Sequence, residues 1–594
     1  MILQALQQYY ERKTVESPGE LPPYGYEDQA IEFVIEIDKD GDVVQVADNR
    51  FQDGSGLVGK LERVPQPVDR TGQNAWKTAF LLWDHPRYAL GLRYKDESDD
   101  KMGMRRIESF RQRIRYSFPN TTVDEGVSAV WQFLEKMDLT KIGSSALYDE
   151  IQKTQKGVAF RLSGDIVLVC QRPAVQGRVA EEFAVFDNAD ITGPCLITGN
   201  IGPVVELHRA TPVPKSKSTA KIVSYNEKAY ESYGKTQGLN ACVGRPAAFA
   251  YTTALNHLLR RSLRVGDAAT IFWATRHSDL EQHIVDIFGE PRKDNPDSNT
   301  RAVVALYKSV DAGLLNTPEG NTRFYVLGLA PNAARIAVRF WEVATVAELA
   351  VRICQHFDDL AIVHRDSEPP HLSLFRLLVS TATLGKADNI PPNLAGNVMS
   401  SILTGLPYPQ PLLTAAVRRI RAEQSKKEKN GKRLPNVTYP RAALIKAYIN
   451  RVTRHTNPDI KEELKMSLDE SNTNVGYRLG RLFAVLEKIQ EDSARPAKIN
   501  ATIRDTSYSA ASATPVSVFS RLIRLSNNHL SKLRKGEYAG MAVIREKQIQ
   551  AVIEGISDFP ASLSLADQGR FAIGYYHQRN SFFKKHDNDS PEGS

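Results

Sequence analysis

The sequence predicts a mixed α+β chain that ends in an all-α helical bundle. Up to about residue 345, runs that alternate apolar and polar residues, such as Ala30–Ile37, interleave with segments of helical periodicity. From about Val346 the apolar residues recur only at three- and four-residue spacing. The clearest case is Val475, Leu479, Leu482, Phe483, Leu486 and Ile489. At 594 residues the chain is long enough for roughly three or four domains. Its 42% hydrophobic and 25% charged content is that of an ordinary globular protein.

In chain order, residues 2–12 predict a short amphipathic helix, followed by a Pro/Gly-rich link from Ser17 to Gly25. Strands are expected at Ala30–Ile37 and Asp42–Ala47, with Asp40-Gly41 as the hairpin turn between them. Further strands are expected at Thr78–Trp83, Tyr88–Leu92, Val158–Leu162 and Ile166–Cys170, and helices at about 103–117 and 123–136. After a helix from Pro246 to Arg264, strands are expected at Ala269–Trp273, Thr300–Ser309, Arg323–Leu329 and Arg335–Val343. In the helical part, Thr514-Pro515 opens a helix with the stripe Val518, Leu522 and Leu525. Ile549, Val552, Ile553 and Ile556 form a third face. Phe571, Gly574 and Tyr575 lie on a fourth helix, where Gly569 and Gly574 allow close approach. The tail Lys584–Ser594 has a disordered composition. The pattern divides the chain into an N-terminal α+β domain (1–215), a central α+β region (216–345), a helical region with a basic linker (346–465) and a C-terminal bundle (466–594).

Several function classes receive no support. The formal charge of +8 is modest for this length, so local clusters matter more than the sum. Cys170, Cys195, Cys242 and Cys354 are far apart and make neither a zinc spacing nor a disulfide framework, which fits a reducing cytoplasm. No apolar run is long enough to span a bilayer, and a soluble protein with no membrane partner is expected. Gly54-Ser55-Gly56-Leu57-Val58-Gly59-Lys60 matches the first seven positions of a P-loop. Leu61 then stands where the magnesium-binding hydroxyl belongs, and Pro65 follows too soon for a helix, so a hairpin connection is expected. The twelve histidines form no metal spacing; His85 beside Asp84 and His364 beside Arg365-Asp366 have no evident partners. No catalytic residue, metal or cofactor is assigned.

Ile222–Val243 holds Tyr225, Tyr230 and Tyr233 among the amides and hydroxyls of Asn226, Ser232, Gln237 and Asn240, between a short alternating strand and the next helix. Physics alone reads it as a tight connection or as an aromatic and amide surface. Its run S-Y-N-E-K-A-Y-E-S-Y-G-K-T-Q-G-L-N-A resembles the signature of the large subunit of the type I-C CRISPR surveillance complex, Cascade. The opening M-I-L-Q-A-L-Q-Q-Y-Y-E-R, Phe324–Trp341 and Tyr508–Pro515 resemble the same family, so the likeness spans nearly the whole chain. One departure is Thr211–Lys221, T-P-V-P-K-S-K-S-T-A-K, where members often carry a Gly-, Gln- and Ser-rich loop.

That resemblance implies a non-catalytic subunit that recognises the short motif beside the target (the PAM) in double-stranded DNA, helps to open the duplex and stabilises the R-loop. It implies as partners the guide crRNA, a crRNA-processing subunit, repeated backbone subunits, a small helical subunit and a recruited helicase–nuclease. The alternatives are a metal-dependent nuclease subunit and a purely structural scaffold. Residues 466–594 resemble the small subunit. Lys461-Glu462-Glu463 requires purine-rich codons just before Met466, so Met466–Ser594 is also expected as a separate product.

By the same analogy the compact turn Thr71, Gly72, Gln73, Asn74 and Lys77 is the PAM candidate, since amides suit base edges and a lysine suits a phosphate. Candidate contacts to the nucleic-acid backbone are Arg105, Arg106, Arg111, Arg113 and Arg115 on one helix, and Lys215, Lys217 and Lys221 before the signature. In the bundle they are Arg478, Arg481, Arg521, Arg524, Lys532, Arg534 and Lys535. Eight basic residues between Arg418 and Arg433 form a further cluster, opposed by Glu423 and Glu428. Each cluster also fits a solvated face.

Overall fold

The computed structural model describes the chain except residues 54–55, 69, 71–73, 93–99, 155, 185–190, 226, 292, 314–318, 334, 497–498 and 584–594. It forms two compact units, Met1–Thr211 with Lys221–His257, and Pro212–Ala220 with Leu258–Ser594.

In the first unit, α1 (Ile2–Glu16) buries Ala5, Leu6, Tyr9 and Tyr10 on one face. The sheet comprises β1 (Tyr26–Ile37), β2 (Val43–Asp48), β3 (Arg50–Asp53), β4 (Gly56–Pro65) and β5 (Trp83–Asp84). After α2 (Pro86–Ala89), α3 (Asp100–Ser117), α4 (Glu125–Lys136), α5 (Thr140–Gly143) and α6 (Tyr148–Lys153), β6 (Gly157–Leu162) completes it. The order is β3-β4-β1-β6-β5, with β2 also paired to β1. β1 is antiparallel to β2 and β4 and parallel to β6. The β1–β2 turn requires glycine twice over. Gly41 sits at φ +82°, and a Cβ there would lie 2.5 Å from the Phe133 backbone nitrogen. Phe110 and Ile114 from α3 join Phe133 from α4 and Phe160 from β6 in the core. The unit closes with α7 (Pro173–Ala184), the pair β7 (Thr192–Pro194) and β8 (Ile201–Pro203), and α8 (Arg245–Leu259), whose last two residues belong to the second unit.

The second unit begins with β9 (Leu263–Val265), β10 (Ala268–Ala274), α9 (Asp279–Phe288), α10 (Ser298–Asp311), β11 (Arg323–Asn332) and β12 (Arg335–Thr345). Its sheet is antiparallel, β12-β11-β10-β9. Thr345 and Glu348 form a capping box that starts α11 (Val346–Leu360). From there the described elements are helical: α12 (Leu374–Thr381), α13 (Pro392–Thr404), α14 (Gln410–Ala422), α15 (Tyr439–Thr456), α16 (Val475–Ser493), α17 (Ile503–Ala513), α18 (Phe519–Arg534), α19 (Ala539–Ile553) and α20 (Leu565–Ser581). This is the expected α+β architecture with an all-α C-terminal part. α16 and α20 meet backbone to backbone. A Cβ on Gly574 would fall 2.0 Å from the Tyr477 carbonyl oxygen, and one on Gly480 2.0 Å from that of Phe571. Gly569 instead faces Ile445 and Leu413 of the neighbouring helices.

Five expected strands are not strands. Thr300–Ser309 lies in α10, whose buried Ala302, Val303 and Leu306 follow helical spacing despite the β-branched pair at its centre. Of Thr78–Trp83 only Trp83 is strand, because the chain curls to bring the Phe80 N–H to Asp84 at 2.8 Å and Leu82 takes φ +61°. Tyr88–Leu92 is replaced in its first part by α2, which Pro86 opens and the His85 ring caps. At Ile166–Cys170, Ile166 is exposed and the chain ends in a 3₁₀ turn, Val169–Gln171. The short strand expected to begin at Ile222 is instead a bend at Ile222 and Val223, followed by the 3₁₀ turns Lys228–Tyr230 and Gln237–Ala241. Of the P-loop-like run, Gly56–Lys60 lie in β4, paired antiparallel with β3, whereas Gly54 and Ser55 are outside the described residues. The tail Lys584–Ser594 is outside the described residues.

Three buried tyrosine–histidine pairs make stability depend on pH. His208, His356 and His577 each turn Nδ1 to the hydroxyl of Tyr251, Tyr408 and Tyr477 respectively. Burial lowers His208 from 6.5 to about 4, His577 to about 3, and His356 well below its ordinary value. Below about 6.5 the unfolded chain binds protons that the native state refuses, so stability falls as pH drops toward about 4. The limiting slope is about 1.4 kcal/mol per pH unit for each histidine. Urea midpoints at pH 7.5 and 5.0 should therefore differ, and His208→Asn should remove one histidine's share of that slope. Equal wild-type midpoints would contradict the assignment.

Candidate nucleic-acid interface

The described residues on both sides of the PAM candidate turn are fixed. At its start, Arg209 donates to the Pro67 carbonyl at 2.9 Å and pairs with Glu27. Beyond it, the Trp83 indole N–H donates to Pro65 at 2.9 Å and the Tyr88 hydroxyl to Ala75 at 3.0 Å. The centre of the clamp is Arg70. Its guanidinium lies between the rings of Phe80 (3.7 Å) and Tyr88 (3.8 Å), donates to the Thr78 carbonyl at 2.6 Å and pairs with Asp84. Asp84 is fully buried and also accepts from the Phe80 and His85 N–H groups, at 2.8 and 2.6 Å. Burial pushes the Asp84 carboxyl up, against the pull of Arg70 and those donors.

Thr71, Gly72 and Gln73 are outside the described residues. Asn74 and Lys77 are exposed on either side of the half-buried Trp76, within a short 3₁₀ turn, Ala75–Lys77. The Lys77 ammonium lies 5.4 Å and the Arg105 guanidinium 5.5 Å from the Trp76 ring centroid. The structure thus joins two candidate groups that are separate in sequence. Trp76, which holds them together, was missed as a site residue; the only hint of it was an aromatic residue beside a lysine in a polar turn.

The remaining α3 arginines are occupied within the fold. Arg106 packs over Tyr88, Arg111 donates to the Leu134 carbonyl, Arg113 pairs with Glu182 at 2.8 Å, and the exposed Arg115 stacks over Trp131 at 5.1 Å. Lys215 and Lys217 are exposed in the second unit, whereas Lys221 is half-buried in the first. In the signature, the Asn240 side chain organises a turn. It donates to the carbonyls of Lys235 and Gln237, each at 3.0 Å, and accepts from the Ser232 N–H at 3.1 Å. Tyr233 stands wholly exposed at the tip of that turn.

The basic residues of the C-terminal bundle separate into two classes. Arg481 is buried, bonded to Gln578 and Glu470, and so has no route to a phosphate in this fold. Arg478 donates to the Asn472 carbonyl and covers Gly555. Arg534 pairs with Glu546. Arg521, Arg524, Lys532 and Lys535, by contrast, are exposed, and no carboxylate pairs with them among the described residues. Their spacing places all four on one face, running roughly 20 Å along α18 opposite the buried Phe519, Leu522, Leu530 and Leu533. In the basic run, Arg419 and Lys426 engage Glu423, Lys432 engages Glu428, and Arg433 engages Glu491 and Asp505.

Among the described residues no three His, Cys, Asp or Glu side chains converge as metal ligands would. All four cysteines are free. No described helix is long and apolar enough to cross a membrane. A family model described as CRISPR-associated protein (Cas_Csd1) matches residues 6–583. No curated protein matches the chain.

Removing the clamp should release the turn. Arg70→Ala leaves Asp84 buried without its cation and should lower unfolding stability by about 3 kcal/mol, with new proteolytic cleavage between residues 66 and 80. Unchanged denaturation and cleavage would show that the pair holds nothing.

Proposed function

The chain belongs to the Cas_Csd1 family of CRISPR-associated proteins, and from that premise we propose that it is the non-catalytic DNA-recognition subunit of a type I-C-like, RNA-guided complex. The observation that carries this reading is the clamped turn beside Trp76. There the Arg70–Asp84 pair and the Arg70–Thr78 bond hold the two flanks of a polar segment, and Lys77 and Arg105 gather over Trp76. The amides of Gln73 and Asn74 with flanking cations suit PAM readout, the amides facing base edges and the cations the phosphates. Guide pairing then supplies the sequence specificity that the protein does not. The unpaired α18 face supplies a second track, suited to the displaced strand or the guide–target duplex as the R-loop forms. In this reading the subunit works with crRNA, the crRNA-processing and backbone subunits and the small helical subunit, in the cytoplasm, and presents the opened target to a helicase–nuclease.

The test is binding of the assembled complex to target duplexes with matched and scrambled PAM. Asn74→Ala/Lys77→Ala should lose PAM preference by about tenfold or more while still loading guide. Arg521→Ala/Lys532→Ala should weaken binding to all sequences and flatten its salt dependence. Unchanged discrimination would remove the turn as the reader, and no PAM preference in wild type would favour a scaffold. Cleavage by the purified subunit with Mg²⁺ or Mn²⁺ would favour a nuclease.

We also propose that Met466 starts a second product, Met466–Ser594, which carries α16 to α20 and so keeps the Gly480–Gly574 seam whole. Met466→Leu should abolish a small C-terminal band in purified complex; its persistence would refute the internal start.

A further inference from the structure

The strands β3 and β4, which flank the start of the P-loop-like run, carry an exposed apolar surface. β3 and β4 pair as two arms that expose large apolar side chains, Phe51 (52%), Leu57 (55%) and Val58 (39%) toward their outer end, with Leu61 (54%) at the base, in register with Ala30 of β1. Their base is tightly fixed. Arg50 lies over the Phe33 ring and pairs with Asp48 at 2.7 Å and with Glu150. The Asn49 side chain donates to the Ile31 carbonyl at 3.0 Å, and the Asn49 carbonyl accepts from the Lys60 N–H at 2.9 Å. Gly59 crosses β1 so closely that a Cβ would meet the Ile31 backbone at 3.1 Å. A rigid base therefore carries an apolar outer end.

The register fixes which way these side chains face. Phe51 is directly opposite Val58, so the two share one face of the hairpin. Leu57 and Leu61 are an odd number of residues from Val58 and take the other face. A flat partner would cover only one pair and leave the other wet. The occupant must grip both faces, as a cleft does. Electrostatics narrows its chemistry, because from Phe51 to Leu61 the only charged residues are Asp53 and Lys60, which cancel. Nothing there attracts phosphate, whereas charge-poor apolar and aromatic surface is what protein interfaces bury at their centres.

We propose that the β3–β4 arm docks Phe51, Val58 and Leu57 into an apolar cleft on another protein subunit of the same complex, with Leu61 at the rim of the contact. The inference rests on the reading that the chain works in an assembly, but not on how it recognises DNA. Tagged chain with Phe51→Asp/Leu57→Asp, co-expressed with guide RNA and the other subunits, should recover those subunits at least about tenfold less well than wild type. The isolated variant should melt as wild type does, because both side chains point into solvent. The milder Phe51→Asn/Leu57→Asn should lie between the two. Undiminished recovery would overturn the proposal, as would a lowered melting temperature of the isolated variant. Subunits retained with target DNA lost would instead make the arm a nucleic-acid contact. An isolated wild type that is dimeric, with a monomeric variant, would make a second copy the occupant. A wild-type chain that recovers no subunit would sink the assembly reading itself.

Discussion

Asp84 has no exposed surface, and the fold answers that burden with a cation and two backbone donors. A carboxylate in such a place is tolerable only when its partners are held in position, so the pair constrains everything attached to it. Arg70 cannot leave Asp84 without exposing a buried charge, and the rings of Phe80 and Tyr88 confine it above and below. The chain between Arg70 and Thr78 is therefore tethered at both ends by one side chain, whose Nε–H also bonds the Thr78 carbonyl. The result is a segment whose two flanks are held together by one side chain.

The C-terminal helices meet a different constraint with the same consequence. Where α16 and α20 cross, carbonyls of each helix occupy the space in which the other would place a Cβ, so Gly480 and Gly574 admit no larger residue without a backbone shift. This contact sets the depth of the bundle, and α18 and α19 pack onto α16 through Val485, Ile489, Leu530, Leu533 and Ala542. With its apolar stripe so committed, α18 has one orientation available. Its basic face must point outward.

Much of this was legible because periodicity is a local property. The helical stripe of Val475 to Ile489, the Asp40-Gly41 turn and the failure of the P-loop context all rest on neighbours in sequence. So does the close approach at Gly574, although its partner helix could not be named. The Arg70–Asp84 clamp was not legible. The two residues are fourteen apart with no periodic relation, and the curl that joins them replaces what alternation read as a strand. Thr300–Ser309 failed for a related reason, since two β-branched valines outweighed the wider spacing of Ala302, Val303 and Leu306 that marks a helix. The bend at Ile222 shows a third limit, because its N–H donates to the Thr211 hydroxyl, a partner that no short-range pattern announces.

The basic residues show why a count of charge says little about where a polyanion will sit. Arg481 and Arg521 look equivalent in sequence, both on amphipathic helices among leucines. Tertiary packing separates them, with Gln578 and Glu470 receiving the first and solvent the second. The same sorting occurs on α3, where Glu182 takes Arg113 and the Leu134 carbonyl takes Arg111, while Arg105 reaches outward to Trp76. An arginine already bonded inside the fold must break those bonds to meet a phosphate, whereas an exposed, unpaired one releases only counterions and water. The chain's net charge of +8 is therefore a poor guide to its interface. The better guide is which cations the fold leaves without a carboxylate: among the described candidates these include Arg521, Arg524, Lys532 and Lys535 beside α18, Lys215 and Lys217, and Lys77, Arg105 and Arg115 beside tryptophan rings.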